Sequence, residues 1–211
     1  MRANARDRAV RYLDVREARD HGSARDVLDR ATVLIVPGLR DHVEDHWQTH
    51  LARTLPRSFT VPRLAEGKLV REAWVVALDL ALASIDGPVV LAAHSAGAII
   101  VAHWAARSSR PIAGALLAAP ADLETPLPPG YASIDELRAN GWLPIPRAKL
   151  PFPSIVVAGT DDPLCRIERA EELARHWGSR FADLGRVGHL NPASGYGPWP
   201  LALAFLRELM P

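Results

Sequence analysis

The sequence predicts an α/β architecture, a mainly parallel central sheet flanked by helices, on three observations. From residue 31 onward, short β-branched or aliphatic runs alternate with longer amphipathic segments, the rhythm of βαβ units. Motifs rich in small and polar residues follow three of the strand-like runs, where such sheets place their chemistry. Proline is concentrated, with eight residues between Pro120 and Pro153, so one long excursion interrupts the alternation.

The elements follow in order. Thr32 to Val36 has the character of a buried strand, stopped by Pro37-Gly38. Residues 43–55 repeat Val43, Trp47, Leu51 and Leu55 at helical spacing, and Phe59 to Val61 makes a short strand. A helix is expected over 69–84, with Leu69, Ala73, Val76, Leu80 and Ala83 as its inward face. Strands at Val89 to Ala93 and Ile112 to Ala119 bracket a helix at Ala98 to Ala106. After the excursion, which has room for a short helix at Ile134 to Asn140, come a strand at Ile155 to Ala158 and a helix at 164–177. A strand at Arg180 to Leu184 and a closing helix at Pro200 to Leu209 complete the series. The proline-rich stretch is expected to form a cap over the C-terminal edge of the sheet.

Composition narrows the function classes. The 211 residues carry 25 basic and 24 acidic side chains, which gives no electrostatic reason to expect a nucleic-acid or anionic-membrane partner. One cysteine excludes an internal disulfide framework and any multi-cysteine metal site. No apolar run approaches the roughly 20 residues of a membrane span. Residues 1–30 hold eight Arg against six acids with no uninterrupted apolar stretch, unlike a secretory signal. They form a charged N-terminal extension to a domain at 31–211, and the expected location is cytoplasmic.

Three motifs carry the chemistry. Ala93-His94-Ser95-Ala96-Gly97 falls between a strand and a helix, with small residues two before and two after the serine, as a nucleophile elbow requires. The helix dipole would favour an alkoxide or oxyanion there. Ser95 as an ordinary helix cap is the alternative. Gly159-Thr160-Asp161-Asp162-Pro163 supplies a carboxylate after a strand, although Asp before Pro is also how a helix begins. Either aspartate could orient an imidazole, with Asp122, after the preceding strand, a more distant candidate. Gly188-His189-Leu190-Asn191-Pro192 supplies the histidine. The chain order Ser, Asp, His is that of α/β-hydrolases.

The chain resembles the small serine hydrolases related to retinoblastoma-binding protein 9 and their bacterial YdeN-like relatives. The matching segments are Ile35-Val36-Pro37-Gly38, Glu44-Asp45-His46-Trp47-Gln48, His94-Ser95-Ala96-Gly97-Ala98, Gly159-Thr160-Asp161-Asp162-Pro163, and Gly188-His189-Leu190-Asn191 through Gly197-Pro198-Trp199-Pro200. The resemblance implies an α/β-hydrolase fold, hydrolysis of small esters or amides, and Ser95 as nucleophile, Asp162 as acid and His189 as base. Ala93 departs from it, since many hydrolases have Gly there.

The expected oxyanion hole is the backbone N–H of Ala96 and of Leu39. His94, Tyr131 and Trp142 are expected at the substrate pocket, with Trp199 a further aromatic that could shape it. His42, His46 and His50 recur every four residues beside acids, but a polar helix face with one buried partner outweighs a metal site, and no cofactor is expected. Cys165 has the character of a small buried hydrophobe. The expected partner is a small-molecule ester or amide. The alternatives are an amidase or peptidase on the same residues, or a protein-interaction module whose hydrolase chemistry is incidental.

Overall fold

A computed structural model describes residues 30–40 and 43–211. The N-terminal extension, apart from Arg30, and His42 lie outside the described residues. In chain order the elements are β1 (Thr32–Val36), α1 (Trp47–Thr54), β2 (Ser58–Thr60), α2 (Arg71–Ala83), β3 (Val89–His94) and α3 (Ala96–Ala105), followed by β4 (Gly114–Ala118), α4 (Ile134–Ala139), β5 (Ser154–Ala158), α5 (Ile167–Trp177), β6 (Arg180–Asp183) and α6 (Leu201–Leu209).

The six strands form one sheet in the order β2-β1-β3-β4-β5-β6, and every pairing is parallel. Strands buried on both faces need apolar side chains at every position, and β1, β3, β4 and β5 are buried throughout. Alternate residues feed two cores. Leu34, Val36, Leu91, Ala93, Leu117 and Val156 pack under α2, α3 and α5, around Trp74, Trp104 and Trp177. Val33, Ile35, Val90, Ala92, Leu116 and Val157 pack under α1 and α6, around Trp47 and Phe205. The chain leaves β1 toward β2 and then crosses to β3 on the other side. The C-terminal ends of β1 and β3 therefore form a switch point, where adjacent loops diverge and leave a crevice.

Helix α2 corrects the expected inward face. Trp74, Val75, Leu78 and Leu82 are the buried residues, whereas Val76 is 44% and Leu80 66% exposed and Ala83 faces solvent. The helix is apolar on nearly all sides, so periodicity alone does not choose between two stripes. The bulky Trp74 side chain, whose Nε1 donates to the Lys68 carbonyl, decides the rotation.

The proline-rich excursion is welded to the domain at two places. Trp142 is fully buried in the core beneath α2 and α3, with its Nε1 donating to the Leu69 carbonyl at 2.6 Å. Glu124 pairs with Arg147 and Arg169, tying both ends of the excursion to α5. Helix α4 carries a full capping box, Ser133 with Glu136, which stabilises so short a helix.

His103 on α3 donates from Nε2 to the Trp142 carbonyl at 3.1 Å, in the neutral form that burial enforces by lowering its pKa from 6.5 to about 4. As pH falls from 6.5 toward 4 the unfolded chain binds a proton there that the folded chain does not, so stability declines through that window. His103→Gln keeps a donor and is expected to make the urea midpoint less sensitive to pH between 7 and 4, as followed by circular dichroism. On α2, Leu78→Ala is expected to cost about 2–5 kcal/mol, while Leu80→Gln stays within about 0.5 kcal/mol of wild type by the same measurement.

Candidate active site

The site is built around a strained turn. Ser95 takes φ 57° and ψ −127° between β3 and α3, a conformation that non-glycine residues rarely adopt. Close packing of α3 against β1 permits the turn. A Cβ on Gly97 would lie 2.4 Å from the Val36 carbonyl oxygen and 2.7 Å from that of Pro37, so only glycine fits. The turn lifts Oγ into a cleft of about 180 Å³ at the switch point. Ser95 occupies the N-cap position, but its side chain makes no capping hydrogen bond.

Oγ meets His189 Nε2 at 2.9 Å, and His189 Nδ1 meets Asp162 Oδ2 at 2.8 Å. With the carboxylate accepting, Nδ1 donates and Nε2 is free to accept from the serine hydroxyl. Asp162 is buried, and its other oxygen accepts from the Leu164 N–H at 2.8 Å. This turn satisfies the local demand without competing for the histidine. It is not a helix cap, because α5 starts only at Ile167, with Arg166 at its N-cap.

Asp161 takes a different part, accepting from the Gly188 N–H at 2.7 Å and so holding the loop that carries His189. Asp122 faces away, accepting from Glu124 N–H and Thr125 Oγ1 and approaching Arg169 Nε at 3.4 Å. Three non-glycine residues among those described have positive φ: Ser95, Ala119 and Leu190. They lie after β3, after β4 and beside His189, so the strain is concentrated around this constellation.

Leu39, from the loop after β1, and Ala96, the first residue of α3, both line the cleft beside Ser95. The first N–H groups of a helix have no intrahelical partner, so the Ala96 N–H is available to a ligand. His94 lines the cleft too, but its Nε2 donates to the His189 carbonyl at 2.8 Å. Its ring lies between those of His46 and His189, edge-on to the first and tilted to the second, at centroid separations of 4.5 and 4.8 Å. Burial, reinforced by the neighbouring His189, lowers His46 to about 4 and His94 well below the usual range, so both rings are neutral at physiological pH.

The aromatic expectations divide. Tyr131 lines the cleft, with Ala121, Leu123 and Leu127 of the same excursion. Trp142 does not. It lies in the core, because its indole is packed beneath α2 and α3 rather than over the sheet edge. Trp199 packs edge-on against Trp47, with ring centroids 5.0 Å apart, in the opposite core. Cys165 is buried, and burial raises its thiol to about 12, so it is unreactive.

Sequence reasoning missed several groups. Gln48 donates from Nε2 to the carbonyls of Val36 and Ala92, clamping the tips of β1 and β3 together, while His46 caps α1 by accepting from the Gln48 N–H. His50 pairs with Asp45 at 2.9 Å, so the periodic histidines diverge into separate local roles. Among the described residues no group of three His, Cys, Asp or Glu side chains converges as metal ligands. Among the same residues no helix is long and apolar enough to cross a membrane.

Comparison with known proteins identifies the family and the fold. The family model for serine hydrolases matches residues 33–208. No curated protein matches the chain. A protein from Pectobacterium atrosepticum described as a YdeN-like hydrolase is 30% identical, with a TM-score of 0.73 over 88% of this chain and 96% of that one. The ydeN gene product of Bacillus subtilis is 17% identical, with a TM-score of 0.62 over 85% and 98%. A thermophilic esterase from Thermogutta terrifontis shares the fold at 18% identity, with a TM-score of 0.56 over 86% and 91%. With an all-parallel α/β-hydrolase sheet and a family match over nearly all of that sheet and its helices, the chain belongs to the serine hydrolases and is a YdeN-like hydrolase.

Proposed function

We propose that this hydrolase cleaves small acyl esters through an acyl-enzyme intermediate, with Ser95, His189 and Asp162 as its catalytic triad. The observation that carries the reading is the unbroken chain of short contacts from Asp162 Oδ2 through the His189 ring to Ser95 Oγ, in a cleft open to a ligand. Ser95 Oγ attacks the ester carbonyl carbon as His189 Nε2 takes the hydroxyl proton. Asp162 holds the tautomer and stabilises the imidazolium without itself being protonated.

The carbonyl electrons collect on the oxygen, which the Ala96 and Leu39 N–H groups receive at the positive end of α3. On collapse the C–O bond breaks and Nε2 passes its proton to the departing alkoxide. A water, deprotonated by His189, then hydrolyses the Ser95 ester and restores the free enzyme. The neutral His46 and His94 rings add no positive charge beside the imidazolium as it forms.

The cleft wall contributed by the excursion favours short chains. It is pinned by the buried Trp142 and by the Glu124 ion pairs, so it does not swing aside as a lid would. On p-nitrophenyl esters of rising acyl length the expected optimum is about two to four carbons, with no rise in rate when detergent micelles form. A preference for about twelve carbons, or a jump at the micelle threshold, would overturn this substrate class.

Ser95→Ala is expected to lower kcat by about 10⁴-fold or more and to abolish labelling by a fluorophosphonate probe, with an unchanged melting temperature. Asp162→Asn still accepts from Leu164 N–H yet favours the wrong histidine tautomer, so kcat falls by about 10³–10⁴-fold. Asp161→Asn keeps an acceptor for Gly188 N–H and stays within about tenfold of wild type. Reversal of the two aspartate results would reassign the acid.

A further inference from the structure

The charges of the cleft are one-sided. Its lining includes Arg40, Tyr131, His46, His94 and His189 and, among the described residues, no carboxylate. His46 and His94 are held neutral, and Asp162 stands behind His189, where it balances the imidazolium of the reaction. Arg40 is therefore the one fixed charge that the described residues bring to the lining.

Its placement is specific. Arg40 follows Leu39 directly in the chain, and both line the cleft beside Ser95. Its guanidinium carbon lies 4.6 Å from the centroid of the Tyr131 ring, so residues from the β1 loop and the excursion meet across the cleft mouth. A cation–π contact of this kind uses the charge of the guanidinium without consuming all five of its N–H donors. No described carboxylate is ion-paired with it. An arginine beside an aromatic ring, with no described carboxylate paired to it, at a cleft whose described lining carries no acid, fits a planar oxyanion.

Resting on the triad reading above, we infer that the preferred substrates are esters bearing a free carboxylate a few atoms from the scissile carbonyl, and that Arg40, stacked on Tyr131, binds that carboxylate. Leu123, Leu127 and Val43 give the cleft an apolar side that takes the short aliphatic part between the two ends. Arg40 is thus a specificity-determining residue, recognising the end of the substrate that does not react.

The test compares p-nitrophenyl butyrate with p-nitrophenyl hemisuccinate, whose four-carbon acyl chain ends in a carboxylate, each corrected for its spontaneous hydrolysis. Wild type is expected to favour the hemisuccinate by about tenfold in kcat/KM, the scale of one charge-assisted contact. Arg40→Met removes that preference, Arg40→Lys keeps part of it, and Tyr131→Leu reduces it by freeing the arginine. Raising salt from about 20 mM to about 500 mM shrinks the wild-type preference and leaves that of Arg40→Met unmoved. Turnover of both esters with a ratio that Arg40→Met does not change overturns the carboxylate site and leaves the triad standing. Absence of wild-type turnover on both esters overturns the ester-hydrolase reading and this inference with it.

Discussion

The approach of α3 to the end of β1 is the constraint on which the active edge depends. With no side chain at Gly97, the first turn of α3 lies against the carbonyls of Val36 and Pro37, where a Cβ would be 2.4 and 2.7 Å away. That contact leaves the chain no gentle path from β3 into α3, and Ser95 absorbs the change of direction at φ 57°. The same proximity brings the loop carrying Leu39 next to the serine. Gln48, donating to the Val36 and Ala92 carbonyls, keeps the two strand tips at the separation this requires. Backbone strain at one residue is thus held by packing around it, which is how such strain persists.

Around that turn, polar groups are divided so that no two duties compete. Asp162 uses one oxygen for its own turn and the other for His189, while Asp161 anchors the loop behind the histidine. His94 donates to the His189 carbonyl, so that histidine is held at its backbone as well as its ring. The buried neutral imidazoles of His46 and His94 fill space beside His189 without adding positive charge there. On the far side of the cleft, the excursion is rigid for reasons unrelated to the ligand. Its Trp142 belongs to the domain core, and Glu124 bridges two arginines.

Where the sequence was hard to interpret, the cause was local ambiguity that only packing resolves. Helix α2 has two apolar stripes, and the one with regular spacing, Val76 to Leu80, faces solvent because Trp74 needs the interior. Trp142 and Tyr131 lie eleven residues apart in the same proline-rich stretch, yet one enters the core and the other lines the cleft. The histidines at 46 and 50 share a period but not a function, since a cap residue faces the chain's own N–H groups rather than a neighbour one turn on.

By itself the sequence determined the α/β alternation, the strand positions, and the chemical identities and order of Ser95, Asp162 and His189. These are properties of short windows: hydrophobic period, turn residues, and the small neighbours of the serine. Tertiary structure alone decided that the sheet is parallel throughout, what the second aspartate, Asp161, holds, and which aromatic reaches the cleft. Those outcomes depend on ångström-scale distances between residues as far apart as the 94 positions separating Ser95 from His189. Local pattern constrains which side chains are available and which face they take. Close packing of distant segments selects, from those available, the few that meet.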